Sequence, residues 1–281
     1  LHVEVFQGEF ASVNSYIFSN GQSVVVLDVQ RLSAEAQKLA DRIRAINLPL
    51  THVLISHGHT DHYTGMPVFR DQFPNAKIVV ANEDIKTDIK NYSLFMDQGG
   101  ATEDEPGLEV PLRPKTSENP DGFDYENTIQ VLENNQLLMD GGGTLELTTD
   151  YKQNEAPNMT TVYVRELNAL FLADLGFNKV HHWQGDNISW HDIANWREEL
   201  LNIKARYKDL DPVVYPGHGD PCDIGITDTM VAYIDNYKHI ITEASSHEEA
   251  YNKMVSLYPD YTEADFFLKN SIKNHFENIN R

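Results

Sequence analysis

Seven consecutive residues, Ser56-His57-Gly58-His59-Thr60-Asp61-His62, follow the apolar run Val53-Leu54-Ile55. They hold three histidines and a carboxylate, the donors that a borderline divalent cation such as zinc accepts. A lone histidine in such a place would be structural. Three of them at alternating and adjacent positions, with Asp61 among them, are costly to desolvate together unless something pairs with them. The stretch is therefore a candidate metal site.

Three more chemistry-bearing residues end apolar strands. Asp28 closes Ser23–Asp28, Asp174 closes Leu170-Phe171-Leu172-Ala173-Asp174, and His218 stands in Pro216-Gly217-His218-Gly219 after Pro212-Val213-Val214-Tyr215. The two glycines let the backbone turn sharply and present the imidazole. Taken alone, Asp28 is as readily a turn or helix-capping residue. His57-x-His59-x-Asp61-His62 after a hydrophobic strand resembles the signature of the metallo-β-lactamase superfamily, and the Asp174 and His218 stretches resemble its later motifs in the same order. The resemblance implies an α/β protein, a four-layer αβ/βα sandwich with C-terminal helices. It further implies that Asp28 orients the metal loop from behind and that Asp174 bridges two divalent ions.

The family pattern breaks once. Members carry another metal histidine in a His-Thr-Pro-Gly-like context, yet no histidine lies between His62 and His181. Counting back from Thr161–Val164 puts Glu155-Ala156-Pro157-Asn158 in that register, with Pro157 at the family proline and Glu155 in the histidine's place. Three readings stay open: Glu155 is itself a ligand; one ion is lost and the other sits on Asp61, His62 and His218; or the chain is a non-catalytic relative. A carboxylate in place of a neutral imidazole lowers the charge of the site by one unit and favours harder metals such as manganese or iron over zinc.

If the resemblance carries over, His57, His59 and Glu155 hold one ion and Asp61, His62 and His218 the other. The implied reaction is hydrolysis of an ester, lactone, amide or thioester of a small substrate by metal-activated water, with Asp61 taking a proton or orienting the nucleophile. A binding or sensory protein that kept the fold is the alternative from another class. An iron-type oxidoreductase is a third, but such relatives carry a Glu where Gly58 or His59 stands. The resemblance also places His181 against the substrate pocket. Cys222, four residues past His218, is read as buried and inert.

The elements that must position these residues follow from periodicity. Residues 2–28 give three short strands with an Asn20-Gly21 hairpin turn. Ser33–Ile46 is an amphipathic helix, Thr51–Ser56 the metal strand, Tyr63–Phe73 a helix and Ala76–Ala81 a strand. Asn82 caps a helix to about Asn91. Residues 93–124, with Gly99-Gly100 and Pro106, Pro111, Pro114 and Pro120, form a long loop or lid in which Phe95, Met96, Leu108 and Leu112 could line a pocket. Strands at 128–132, 136–139 and 144–148 belong to a second sheet, and 160–164 with 169–173 make a hairpin. Helices follow at 190–207, 227–245, 247–257 and 263–279. The expected organisation is residues 1–225 as the metal-binding domain and 226–281 as a helical extension packed on it.

Composition bounds the partners. A chain of 281 residues, 41% hydrophobic, can fill a sizeable core. A formal charge of −21 argues against nucleic acid, whose phosphates are bound by Lys and Arg. No run reaches the roughly 18–20 apolar residues of a membrane span. One cysteine excludes an internal disulfide, which suits a cytoplasmic protein and equally a periplasmic or secreted one whose leader was trimmed before Leu1.

Overall fold

The computed structural model describes residues 1–99, 108–109, 112–185 and 188–277. Strands β1 (His2–Gln7), β2 (Asn14–Ser19) and β3 (Val24–Leu27) form an antiparallel meander, and helix α1 (Ser33–Ile46) leads to β4 (Leu50–Leu54). Short helices α2 (Thr60–Tyr63) and α3 (Met66–Gln72), β5 (Lys77–Val80), α4 (Glu83–Asp97), α5 (Tyr125–Thr128) and β6 (Ile129–Val131) complete the first half. The second half runs β7 (Gln136–Leu138), β8 (Thr144–Thr148), β9 (Thr161–Val164), β10 (Ala169–Phe177), α6 (Trp190–Tyr207), β11 (Val213–His218), α7 (Ile226–Glu243), α8 (His247–Leu257), a π-turn at Ala264–Leu268 and α9 (Lys269–Glu277).

The strands pair into two sheets, in the orders β1-β2-β3-β4-β5-β6 and β11-β10-β9-β8-β7. The sheets face each other through side chains set by strand alternation. On β10, Phe171 points to the seam and meets Tyr16 and Phe18 of β2 edge-on, each at 4.9 Å, while stacking on Tyr215 of β11 at 4.6 Å. Its neighbours Leu170 and Leu172 point the other way, into a cluster with Trp196, Leu200 and Ile203 of α6 and Met230 and Ile234 of α7. On the far side α1 buries Ala36, Leu39, Ala40 and Ile43, a single stripe at helical spacing, against the first sheet. Helix, sheet, sheet, helix is the four-layer order expected.

Four local expectations change. The helix expected over Tyr63–Phe73 is broken at Thr64-Gly65, where a Cβ on Gly65 would meet the Val29 carbonyl oxygen at 1.9 Å and where Pro67 suits the first turn of a new helix. Helix α4 runs on to Asp97, capped by Asn82 through the Ile85 amide at 3.0 Å, so Phe95 and Met96 are helical. Met96 and Leu112 are buried and Leu108 is half-buried, while Gly100, Pro106 and Pro111 lie outside the described residues. Strand β6 belongs to the first sheet, paired parallel to β5, and not to the second; apolar alternation marks a strand but not its partner. Asp174 does not end its strand: β10 continues to Phe177 past an irregularity at Ala173, which has φ 46°. Among the described residues no helix is long and apolar enough to cross a membrane.

Phe171 is fully buried at the seam. Phe171→Ala is expected to cost about 3–5 kcal/mol of stability, read from the denaturant midpoint. An unchanged midpoint would mean that the sheets are not held there.

Candidate metal centre

The metal loop is positioned by its backbone first. Asp28 leaves β3 with φ 61° and accepts hydrogen bonds from the Ser56 amide and the Ser56 hydroxyl, both at 2.8 Å. The same carboxylate accepts from His62 Nδ1 at 2.8 Å. Because the Ser56 proton goes to Asp28, Ser56 Oγ is left to accept from His57 Nδ1 at 2.9 Å. His218 Nδ1 donates to the Ala11 carbonyl at 2.7 Å, with Ala11 at φ 51°. All three rings are thus held in the tautomer that leaves Nε2 bare and aimed inward.

Residues 149–160, between β8 and β9, bring in Glu155. The Thr160 amide donates to the Ser56 carbonyl at 3.0 Å, and Met159 bridges to His57, so this loop is stitched to the metal loop. Asn154 Oδ1 accepts from the Glu155 amide at 2.7 Å and fixes its approach. On the opposite wall, Gly217 lets β11 close on β10: a Cβ there would stand 2.1 Å from Asp174 Oδ1. Asn14 donates to the carbonyls of Pro216 at 3.0 Å and Gly219 at 2.6 Å, clamping the His218 turn to β2.

The result is two groups of donor atoms that share Asp174. His57, His59, Glu155 and Asp174 form one, and Asp61, His62, Asp174 and His218 the other, with the atoms of each within 4.8 Å of one another. Individual separations are 3.0 Å from His62 Nε2 and 3.6 Å from His57 Nε2 to Asp174, 3.3 Å from His218 Nε2 to Asp174, and 3.4 Å from His218 Nε2 to Asp61. Metal–ligand bonds of about 2.0–2.2 Å in tetrahedral array put donors roughly 3.3–3.6 Å apart. Both Glu155 oxygens, His57 Nε2, His62 Nε2 and Asp174 Oδ1 are buried without a hydrogen-bond partner. His59 Nδ1 lies 2.8 Å from Glu155 Oε1 without hydrogen-bond alignment. Orphaned donors converging on two points fit two cations, and these buried groups could hold a dinuclear site.

Electrostatics separates the members. Burial pushes the Glu155 carboxyl up to about 7, against the pull of His59. Burial acts on Asp174 too, but His62, His218 and His57 hold it well below the usual carboxylate range. Burial and His62 bring His57 down to about 4, whereas at His59 burial is outweighed by Glu155, Asp174 and Asp61, lifting it to about 9.

His181 is placed elsewhere than expected. It is buried away from the cleft, its Nδ1 2.8 Å from the Tyr233 hydroxyl and its ring beside Tyr258 and Tyr261, because the Val180–Thr262 bridge turns it into a tyrosine cluster. Cys222 pairs its backbone with Val214, and burial pushes its thiol up to about 12. The cleft over the site is walled by Phe10, Thr60, Tyr92, Trp183, Phe266 and Phe267, besides ligand-group residues. A second groove shares His59, Tyr92 and Glu155 and runs past Asp88, Phe95 and Gln153. Aromatics so far apart in sequence carry no spacing signal that could have marked them.

Fold and site together define a class. The family model of the metallo-beta-lactamase superfamily matches residues 8–218, and the chain belongs to that family. Particular relatives are distant. A metallo-beta-lactamase from Pontibacter korlensis superposes with TM-score 0.58 at 16% identity, covering 83% of this chain and 94% of its own. The BLEG-1 B3 metallo-beta-lactamase gives TM-score 0.59 at 16% identity over 83% and 99%. By sequence the chain is similar to a probable metallo-hydrolase of Streptococcus pyogenes, 27% identical over 26% of this chain and 31% of that protein. It is also similar to the atrochrysone carboxyl ACP thioesterase of Claviceps purpurea, 24% identical over 48% and 41%. The chain thus spans less than half the length of these curated relatives.

Two outcomes follow. Glu155→Ala is expected to lower the bound metal from about two ions per chain to about one by elemental analysis, and Glu155→His to restore the second. Stoichiometry indifferent to both substitutions would remove Glu155 from the site. Gly217→Ala, forced against Asp174, is expected to cost about 1–3 kcal/mol in thermal unfolding and to weaken metal retention, and wild-type behaviour in both would contradict the close approach.

Proposed function

We propose that this protein is a metal-dependent hydrolase acting on a small, uncharged acyl substrate: an ester, lactone, amide or thioester. The observation that carries the reading is the pair of donor groups sharing Asp174 at the floor of an aromatic cleft. When bound, two divalent ions, zinc or the harder manganese or iron, lower the pKa of water and polarise a carbonyl oxygen. His57, His59 and Glu155 would hold one ion and Asp61, His62 and His218 the other, with Asp174 between them.

The chain's own residues do the rest. Asp61 borders the cleft and takes up or steers the proton of the attacking water. Asp28, Ser56 and the Ala11 carbonyl keep the imidazoles in one orientation, so no reorganisation is needed during turnover. Phe10, Trp183 and Phe267 keep bulk water from the reacting atoms. Three carboxylates around two divalent ions leave one net positive charge, a weaker draw for anions than an all-histidine counterpart would be. Neither groove is lined by Lys or Arg among the described residues, which also favours uncharged substrates over phosphodiesters. The Claviceps relative, named a thioesterase, makes thioesters a first class to test. Glu155 in place of a neutral imidazole also supports a second reading, a relative that binds metal without turnover.

The test is a panel of uncharged esters, lactones, amides and thioesters beside carboxylate-bearing β-lactams and phosphodiesters, with zinc, manganese or ferrous iron supplied. Chelator-reversible turnover of an uncharged acyl substrate is expected, with Asp61→Asn lowering kcat/KM about 10²-fold or more at saturating metal. Turnover of phosphodiesters alone would refute the substrate class. No turnover despite full metal occupancy would favour the binding protein.

A further inference from the structure

The family match ends at residue 218, yet part of the cleft is built from beyond it. The π-turn at Ala264–Leu268, entered through Glu263 at φ 63° and closed by the Leu268 amide on the Glu263 carbonyl, carries Phe266 and Phe267 to the cleft. Single π-turns recur at functional sites, where they re-aim side chains. Phe266 stacks on Trp183 at 5.7 Å and meets Phe10 edge-on at 5.8 Å, and Phe267 lies 5.5 Å from Trp183. Four aromatic rings from three separate segments thus make one wall.

That wall is fixed before any ligand arrives. The Thr262 amide donates to the Lys179 carbonyl and the His181 amide to the Thr262 carbonyl, both at 3.0 Å. The Gln184 amide donates to Ser271 Oγ at 2.8 Å, and Asn274 Nδ2 to the carbonyls of Gln184 at 2.9 Å and Ile188 at 3.1 Å. The segment bearing Trp183 and the segment bearing Phe266 are therefore strapped together, and Phe10 and Phe266 remain only half-buried. A preformed aromatic surface left partly open, with no Lys or Arg among the residues lining its cleft, is matched by an apolar group and not by a charged one. The enclosed part of the cleft, about 20 Å³, has room for about one water, so an apolar group would lie against the half-buried faces of Phe10 and Phe266 and not inside a closed chamber.

We propose that Phe10 and Phe266, backed by Trp183 and Phe267, form an open subsite against which an apolar acyl group packs, and that the C-terminal π-turn thereby sets specificity. The proposal rests on the hydrolase reading only in calling that group acyl; occupancy of the subsite does not require turnover. The experiment has two arms on the full chain, comparing wild type, Phe266→Leu and Phe266→Ala, with metal content measured in each. In the first, kcat/KM is compared for acetyl, butyryl and phenylacetyl esters of one leaving alcohol. The phenylacetyl-to-acetyl ratio is expected to be about 10-fold or more in wild type, to survive in Phe266→Leu and to collapse in Phe266→Ala at unchanged metal content. In the second arm, phenylacetamide binding is followed by ligand-observed NMR, with acetamide as control, and is expected only for the phenyl compound and only with the large apolar side chains Phe or Leu at 266, being lost in Phe266→Ala. Binding of this kind without hydrolysis of any ester would uphold the subsite and remove the hydrolase reading. A flat acyl series, or no binding of phenylacetamide by wild type, would overturn the subsite, whether or not esters are cleaved.

Discussion

Burying four imidazoles and three carboxylates at one end of two packed sheets is the constraint on which this structure depends. Each of His57, His59, Asp61, His62, Glu155, Asp174 and His218 is at most 9% exposed. Desolvating that many polar groups is strongly unfavourable unless every one has a partner. The protein meets this at three of the rings by fixing the outward-facing nitrogens of His62, His57 and His218 on Asp28, Ser56 and the Ala11 carbonyl, so that their inward donors are left over. Those leftovers converge on two points, and cations there would complete the balance.

Holding such donors in place takes backbone that the sheets alone would not adopt. Ala11, Asp28 and Ala173 have φ values of 51°, 61° and 46°, and each sits at or beside a group that faces or anchors the site. Left-handed conformations at non-glycine residues cost about 1–3 kcal/mol each and persist only where the surroundings over-determine them. Here the aromatic seam around Phe171 and the Asn14 clamp on the His218 turn supply that determination. Stability built in the seam is thus used at the rim, where the chain is strained and the chemistry is placed.

The cleft is asymmetric in origin as well as in character. Its floor comes from segments inside the family match, while one wall comes from the C-terminal π-turn beyond residue 218. Glu155 adds a negative charge to the floor, and the lining of both grooves is without Lys or Arg among the described residues.

Much of the floor was legible in the sequence because it is local. His57, His59, Asp61 and His62 lie within six positions, and Asp28, Asp174 and His218 each follow a readable apolar strand. Helices at 33–46, 190–207 and 247–257 were fixed by periodicity and matched residue for residue. What local pattern could not decide was pairing across distance. It assigned β6 to the wrong sheet and missed the break at Gly65, where a Cβ would meet the Val29 carbonyl, while the family resemblance placed His181 against the pocket and the structure sets it among tyrosines. That Glu155 stands beside His57 and His59, and that Phe10, Trp183 and Phe266 share a wall, are facts of tertiary structure. Side chains separated by scores of residues meet only through sheet order and loop stitching, and no periodicity in the chain encodes those contacts.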